Sequence, residues 1–242
     1  MNQLLPVVLL GLTGVLAYNV FFFNGLKIVE AGRASIIIAN NPIVISLFSA
    51  LIFRERLSWG KIAGIILSVV GAVIAISGGD PRALFAGGVG QGDLLIFGCV
   101  LSWSAYSLLG KHVMRVLPPL TAVAHSAFVG MLALLIPAWL EGMPADLPTY
   151  SWGAWCNLAY LGWFGTVLGF VWYYEGIREI GPSRASLFIN FVPISAIGLA
   201  HVILDEPLSL SLMIGGALVI TGVSLNNMTP PAPGLLRPKA LS

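Results

Sequence analysis

Two groups of amide and proline residues interrupt long apolar segments of this chain and could bind a small solute. They are Asn40-Asn41-Pro42 and Asn190 with Pro193. A proline inside a helix has no N–H to donate, so the carbonyls of Ile38 and Ile189, four residues earlier, lose their helical hydrogen bond. In an apolar surrounding such carbonyls need protein, water or a ligand as a partner. The pattern predicts a polar site at each place, and a kink that serves packing alone is the alternative.

Aromatic side chains form the second candidate group. Trp103 and Tyr106 are three residues apart near the centre of one apolar segment, which places them on one face of a helix. Trp163 lies within another segment, and we expect all three rings to line a cavity. Trp and Tyr at the ends of spans would instead mark the membrane interface. For His125, a pocket role and a hydrogen bond between helices are equally open.

Charged side chains are confined to the ends of the apolar segments, as Asp93, Glu175, Asp205 and Glu206 illustrate. A proton-coupled exporter of lipophilic cations uses a carboxylate within the membrane, and a carrier of phosphorylated solutes uses buried Arg or Lys. The expected solute is therefore neutral or zwitterionic, and an apolar amino acid fits best. Without a nucleophile turn, a metal-ligand spacing or a basic run, we expect no enzyme activity, metal, cofactor or nucleic-acid partner.

The composition places these side chains in membrane helices. The chain is 57% hydrophobic and 9% charged, with a mean hydropathy of +0.93, whereas a soluble domain is about 25% charged. A helix needs about 20 apolar residues to cross a bilayer. The segments that meet this length are 4–26, 33–53, 59–78, 93–112, 119–140, 154–176, 183–203 and 209–227. We therefore expect an all-α polytopic membrane protein with eight transmembrane helices in the lipid bilayer.

The Lys and Arg residues indicate the orientation. Nine of them fall in one set of loops and three in the other. The positive-inside rule puts the richer set in the cytoplasm. With eight spans, both termini are then cytoplasmic, and we expect a bacterial-type inner membrane. Residues 228–242, which hold four prolines, are expected to form a disordered cytoplasmic tail.

The second part of the chain repeats the first at an offset of 151 residues. Matching positions include Gly11 and Gly162, Gly14 and Gly165, Gly64 and Gly215, and Gly71 and Gly222. Because five spans separate equivalent points, the copies lie in opposite orientations. Arg54-Glu55-Arg56 corresponds to Asp205-Glu206-Pro207, and the two differ in charge as opposite membrane faces require. The sequence thus predicts inverted repeats, with three helices in residues 1–79 and five in residues 80–227.

The repeated motifs resemble the EamA repeat of the drug/metabolite transporter superfamily. The first copy carries Gly25, Arg33-Ala34-Ser35, Pro42, Glu55, Gly64 and Gly71, and the second carries Gly176, Arg184-Ala185-Ser186, Pro193, Glu206, Gly215 and Gly222. Trp103-Ser104-Ala105-Tyr106 is similar to the first helix of a repeat in that family. The resemblance implies ten helices in a 5+5 arrangement, of which this chain is an incomplete version. It also implies a central cavity lined by the helices of Trp103, Asn40, Asn41, Trp163 and Asn190.

The expected function is transport of small neutral or zwitterionic metabolites, foremost the export of amino acids. The mechanism would be alternating access around a midplane cavity. A proton-coupled multidrug or lipophilic-cation exporter and a transport-inactive truncated membrane protein are the alternatives. The expected partners are the solute and the bilayer, and both a monomer and a homodimer are compatible with the sequence.

Overall fold

Every regular element in the described part of the chain is a helix. A computed structural model describes residues 4–53, 58–80, 82 and 89–228. The helices are α1 Leu4–Leu26, α2a Ala31–Ile38, α2b Asn41–Phe53, α3 Trp59–Ile76, α4 Gln91–Val113, α5 Pro119–Leu140, α6 Trp152–Ile180, α7a Pro182–Ala185, α7b Phe191–Leu204 and α8 Leu210–Met228. A 3-10 turn, Ser186–Asn190, joins α7a to α7b, and Met143–Asp146 and Leu147–Thr149 form short turns before α6. The Arg54-Glu55-Arg56 motif and tail residues 229–242 lie outside the described residues.

All eight predicted apolar segments fall on these helices, so the predicted fold class is confirmed. Six spans, α1 to α6 with α2a and α2b taken together, are long and apolar enough to cross a membrane, and the last two spans contain shorter apolar helices. Serine caps fix two of the helix starts. The hydroxyl of Ser58 accepts the Lys61 N–H at 3.4 Å, and that of Ser151 accepts the Ala154 N–H at 3.2 Å.

The helices form two compact units. The first unit contains α1, α4, α5 and α6, and the second contains α2, α3, α7b and α8. Each unit therefore combines helices from both predicted repeats. The repeat boundaries at residues 1–79 and 80–227 stay a prediction from the sequence.

Glycines on α1 determine the packing of the first unit. A Cβ atom at Gly11 would lie 2.7 Å from Val129 Cβ on α5, and one at Gly14 would overlap the ring of Tyr106 on α4. Such contacts are closer than side chains tolerate, so α1 approaches its neighbours only because both positions lack a side chain. In the repeat-equivalent helix α6, a Cβ atom at Gly162 would meet no atom within 4 Å outside the adjoining helix backbone, and one at Gly165 would meet only the Leu161 side chain, at 4.0 Å. None of the most apolar stretch of α6 is buried.

This contrast gives a matched pair of substitutions. We expect Gly14→Ala to destabilise the protein by about 1–3 kcal/mol, because the added methyl group displaces the Tyr106 ring. Gly165→Ala is expected to leave stability unchanged or to raise it slightly, since alanine favours a helix by about 1 kcal/mol over glycine. Thermal unfolding of both variants in detergent measures the difference. Equal unfolding temperatures would show that α1 does not pack closely against α4.

Glycines on α3 and α8 hold the second unit together. A Cβ atom at Gly64 would lie 2.5 Å from the Gly222 carbonyl oxygen, and one at Gly71 would lie 2.6 Å from that of Gly215. As residue numbers rise along α3, those of its contacts on α8 fall, so the two helices are antiparallel. In the repeat, Gly64 corresponds to Gly215 and Gly71 to Gly222. Replacing each glycine by its equivalent therefore converts the contact of Gly64 with Gly222 into the contact of Gly71 with Gly215.

Two further irregularities recur at equivalent positions. α1 is π-helical over Gly11–Ala17 and α6 over Leu161–Leu168, stretches that coincide almost fully under the offset. π-Helical turns are rare and often mark functional sites. The α-helix is also interrupted before Pro42, between α2a and α2b, and before Pro193, by the 3-10 turn of α7.

Candidate functional site

Trp103 lies at the centre of an aromatic cluster in the first unit. Its ring centroid is 5.4 Å from that of Tyr18, 5.0 Å from Phe170 and 5.1 Å from Tyr173. Tyr106 completes the contacts at 5.5 Å. These separations suit the edge-to-face and tilted arrangements that stabilise aromatic pairs. The cluster, here called the Trp103 cluster, joins α1, α4 and α6.

Tyr106 and its neighbours support the cluster from the inside. Tyr106 is fully buried, and its hydroxyl lies 3.3 Å from that of Ser126 on α5. Its carbonyl oxygen accepts a hydrogen bond from the Tyr174 hydroxyl at 3.0 Å. In this structure the Tyr106 side chain contacts protein only, whereas Trp103 is half-buried. Direct contact of Tyr106 with a solute stays a prediction.

An apolar groove of about 730 Å³ adjoins the Trp103 cluster. It is lined by Val15, Tyr18, Asn19, Phe22, Phe23, Ala127, Phe128, Met131, Leu134, Leu135, Ala138, Leu161, Gly165, Thr166 and Phe170. The Asn19 amide donates to the Val15 carbonyl at 2.7 Å, and the Thr166 hydroxyl donates to that of Leu161 at 3.2 Å. Because these donors bond to their own helices, the groove favours apolar groups. Tyr18 and Phe170 belong both to the groove and to the Trp103 cluster.

The other two predicted residues of the first unit lie apart from the cluster contacts. Trp163 is 67% exposed on the π-helical part of α6. His125 is exposed on α5, and its Nδ1 lies 2.7 Å from the Thr121 carbonyl of the same helix. Their roles at a solute site stay predictions.

The amides of the second unit lie at the interruption of α2. Asn40 donates from Nδ2 to the Ile36 carbonyl at 3.0 Å and accepts from the Ser68 hydroxyl at 2.9 Å. Its side chain thereby replaces a helical hydrogen bond and ties α2 to α3. Asn41 begins α2b with only 1% of its surface exposed, and its Oδ1 has no hydrogen-bond partner. The side chain of Asn190 lies outside the described residues, and Pro193 is buried in α7b.

Glu206 is a functional candidate that the sequence analysis noted only as a repeated acid. Its carboxylate accepts the Ala31 N–H at 2.8 Å and the Gly32 N–H at 3.0 Å. The acid therefore caps α2a, the half-helix that leads to Asn40. Asp205 before it has a φ of 53°, an uncommon value for a residue other than glycine. The recurrence of glutamate at 55 and 206 was the signal for this role.

We expect Glu206→Ala to destabilise the protein by about 1–2 kcal/mol, because two N–H groups at the start of α2a lose their acceptor. The effect should be local as well as global, with faster hydrogen exchange at Ala31 and Gly32. Glu141→Ala, at an exposed glutamate, serves as the control. Unchanged exchange at Ala31 and Gly32 would contradict the capping role.

Tyr18, Phe170, Tyr173 and Ser68 were not singled out from the sequence. They stand in apolar segments where aromatic and hydroxyl residues are common, and only the packing selects them. The described residues contain no group of three His, Cys, Asp or Glu side chains able to hold a metal ion.

Comparison with known proteins yields consistent matches. The family model described as EamA-like transporter family matches residues 1–77 and 90–228. The uncharacterized transporter YyaM of Bacillus subtilis is 28% identical over 216 residues, which cover 89% of this chain and 70% of that protein. A probable terminal-alkyne amino-acid exporter of Streptantibioticus cattleyicolor is 34% identical over 229 residues, covering 92% of this chain and 73% of the exporter. One solved crystal structure shares the fold with a TM-score of 0.63 at 22% identity, over 94% of this chain and 77% of the solved one.

Proposed function

The chain belongs to the EamA-like transporter family, and from this membership we propose that it exports small neutral or zwitterionic metabolites, foremost amino acids. It is a multi-pass membrane protein of a transporter family, which fits the prediction that it is not an enzyme. The similar amino-acid exporter of Streptantibioticus cattleyicolor supports the choice of solute class.

The interruption of α2 is the observation that carries this proposal. Buried amides at Asn40 and Asn41 lie where a span changes from one half-helix to the next. Interrupted helices in transporters place unpaired backbone groups at the substrate site, near the middle of the membrane. The Trp103 cluster adds aromatic faces of the kind that pack against apolar side chains.

The mechanism that we propose rests on the predicted inverted repeat. We propose alternating access, in which the two repeats rock around a midplane cavity. The antiparallel α3 and α8, whose glycine contacts exchange under the 151-residue offset, support the inversion. The recurrence of π-helical stretches in α1 and α6 supports the repeat itself. Both termini of the chain lie in the cytoplasm, at a bacterial-type inner membrane, and labelling of a cysteine placed at each end tests this orientation.

Uptake into proteoliposomes tests the function. Purified protein is reconstituted and supplied with radiolabelled neutral amino acids, with and without a pH gradient. Saturable uptake of one amino-acid class supports the proposal, and its dependence on the gradient identifies proton coupling. Uptake of lipophilic cations alone would contradict amino-acid export and favour the alternative function, multidrug export. No uptake of any probe by folded protein would favour the transport-inactive alternative.

A further inference from the structure

The interruption of α2, between α2a and α2b, contains hydrogen-bond acceptors that lack their usual donors. Asn41 Oδ1 is buried and makes no hydrogen bond. Three residues earlier, the Ile38 carbonyl would bond in a regular helix to the N–H of residue 42, and Pro42 has none. Leaving a buried acceptor unpaired costs free energy, because the group loses its hydrogen bond to water and gains none in the protein. A position that bears this cost is suited to a donor that arrives from outside the protein.

Donors on the adjoining Asn40 and on α3 are already engaged, and the unpaired Asn226 Nδ2 of the same unit makes no hydrogen bond with Asn41. The amide of Asn40 bonds to the Ile36 carbonyl at 3.0 Å, and the Ser68 hydroxyl bonds to Asn40 at 2.9 Å. The Asn40 backbone N–H bonds to the Ile37 carbonyl at 3.1 Å. A turn of either side chain toward Asn41 would therefore break an existing bond.

The second interrupted helix contributes to the same unit. The 3-10 turn Ser186–Asn190 packs against α2b, and Pro193 has no N–H for the Ile189 carbonyl. At the positions equivalent to Asn40 and Asn41, this second copy has Phe191 and Val192. Of these two sets of equivalent positions, only the set at the α2 interruption has side chains that accept hydrogen bonds. The helix interruption recurs in both copies, but the side-chain acceptor does not.

We propose that the interruption of α2 binds the ammonium group of the transported solute, with Asn41 Oδ1 and the Ile38 carbonyl as acceptors. This inference rests on the proposed function and narrows its substrate class to solutes with a protonated primary amine. An ammonium group donates three hydrogen bonds and needs an environment of acceptors. In an amino acid the solute's own carboxylate keeps the net charge at zero, which limits the cost of entering the membrane. A sodium ion would use the same oxygen atoms, so the test must separate the two cations.

Binding of three related probes tests the ammonium assignment. The probes are leucine, 3-methylbutylamine, which lacks the carboxylate, and 4-methylpentanoate, which lacks the amine. Binding is measured on the purified full chain in nanodiscs, in sodium-free buffer. Leucine and the amine are expected to bind, and 4-methylpentanoate is expected to bind at least about tenfold more weakly, because a charge-assisted hydrogen bond is lost.

Variants at Asn41 locate the site. Asn41→Leu is expected to weaken leucine and amine binding by about tenfold. Asn41→Asp retains the acceptor oxygens and adds a negative charge, so it should bind the amine more tightly than the parent. The control is Asn24→Leu on α1, where the Asn24 amide bonds to the Val20 carbonyl of its own helix. Unfolding temperatures measured without probe show whether each variant is folded. If Asn41→Leu does not fold, Asn41→Asp still tests the assignment.

Three outcomes would overturn the assignment while leaving transport intact. They are equal binding of leucine and 4-methylpentanoate, unchanged binding in both Asn41 variants, and stabilisation by sodium chloride but not choline chloride that disappears in Asn41→Leu. The last outcome would make the site a sodium site. Failure of every amino acid to bind or to be taken up would instead reject the proposed function itself.

Discussion

Gly64→Leu is expected to abolish folding of the second unit. A Cβ atom at Gly64 would lie 2.5 Å from the Gly222 carbonyl oxygen and 2.6 Å from the Asn226 backbone nitrogen. Both atoms belong to the backbone of α8, so no side-chain rotation relieves the overlap and the helices must separate. Overpacking of this kind costs about 3 kcal/mol or more, a large share of the stability of a domain. The fraction of protein that elutes as a single species in detergent should therefore fall sharply.

Two comparisons make this prediction specific. Gly198→Leu on α7b adds the same side chain where no atom lies within 4 Å, and it should leave the elution profile unchanged. Gly215→Leu, the repeat-equivalent change on α8, should fail as Gly64→Leu does, because its Cβ atom would lie 2.6 Å from the Gly71 carbonyl. If Gly64→Leu gave parental yield and unfolding temperature, the close contact of α3 with α8 would be wrong.

Trp103→Ala is expected to reduce transport by about tenfold or more per folded molecule, equivalent to about 1.4 kcal/mol of lost stabilisation. The indole ring contacts Tyr18, Phe170 and Tyr173 on two other helices. Its removal leaves a cavity in the Trp103 cluster and takes away the aromatic face proposed for the solute. Trp103→Phe should restore part of the rate, because a smaller ring still fills part of the space. Uptake is normalised to the amount of monodisperse protein, so that lost stability is not counted as lost transport.

Trp172→Ala is the matched control for this change. Trp172 also lies in the first unit, but 64% of its surface is exposed. Its replacement should leave uptake close to the parental rate. Trp163→Ala tests the remaining tryptophan prediction, and parental rates for both Trp103→Ala and Trp163→Ala would exclude both from the solute site.

The helices could be predicted from the sequence because a bilayer imposes a length on apolar segments. The paired glycines of α3 and α8 were also visible, since helices in lipid approach closely through small residues. The partner helix of each glycine could not be derived this way. Gly14 and Gly165 are equivalent in sequence, yet one lies against the Tyr106 ring and the other has no neighbour but its own Leu161.

The candidate site was only partly predictable for a related reason. In a membrane protein, lipid-facing and interior side chains are similarly apolar, so hydrophobicity does not show which face of a helix is buried. Trp163 and Trp103 looked alike in sequence, but one is exposed and the other joins three helices. The missing N–H of Pro42 did predict the interruption of α2 from the sequence. The Asn40 amide bonds to the Ile36 carbonyl, and Asn41 is left as the unpaired acceptor. Which of the two amides lacks a partner depends on local geometry that the spacing of residues does not encode.

The glycine contacts of α3 and α8 also bear on the origin of the chain. If the two copies descend from one duplicated gene, α3 and α8 are both descendants of one ancestral helix and pack here in antiparallel directions. Two molecules of a single-repeat ancestor, inserted into the membrane with opposite topologies, would have made the same glycine contacts before any fusion. A gene fusion would then have fixed a pairing that earlier depended on chance orientation. The difference in charge between Arg54-Glu55-Arg56 and Asp205-Glu206-Pro207 would then reflect the predicted opposite orientations of the two copies.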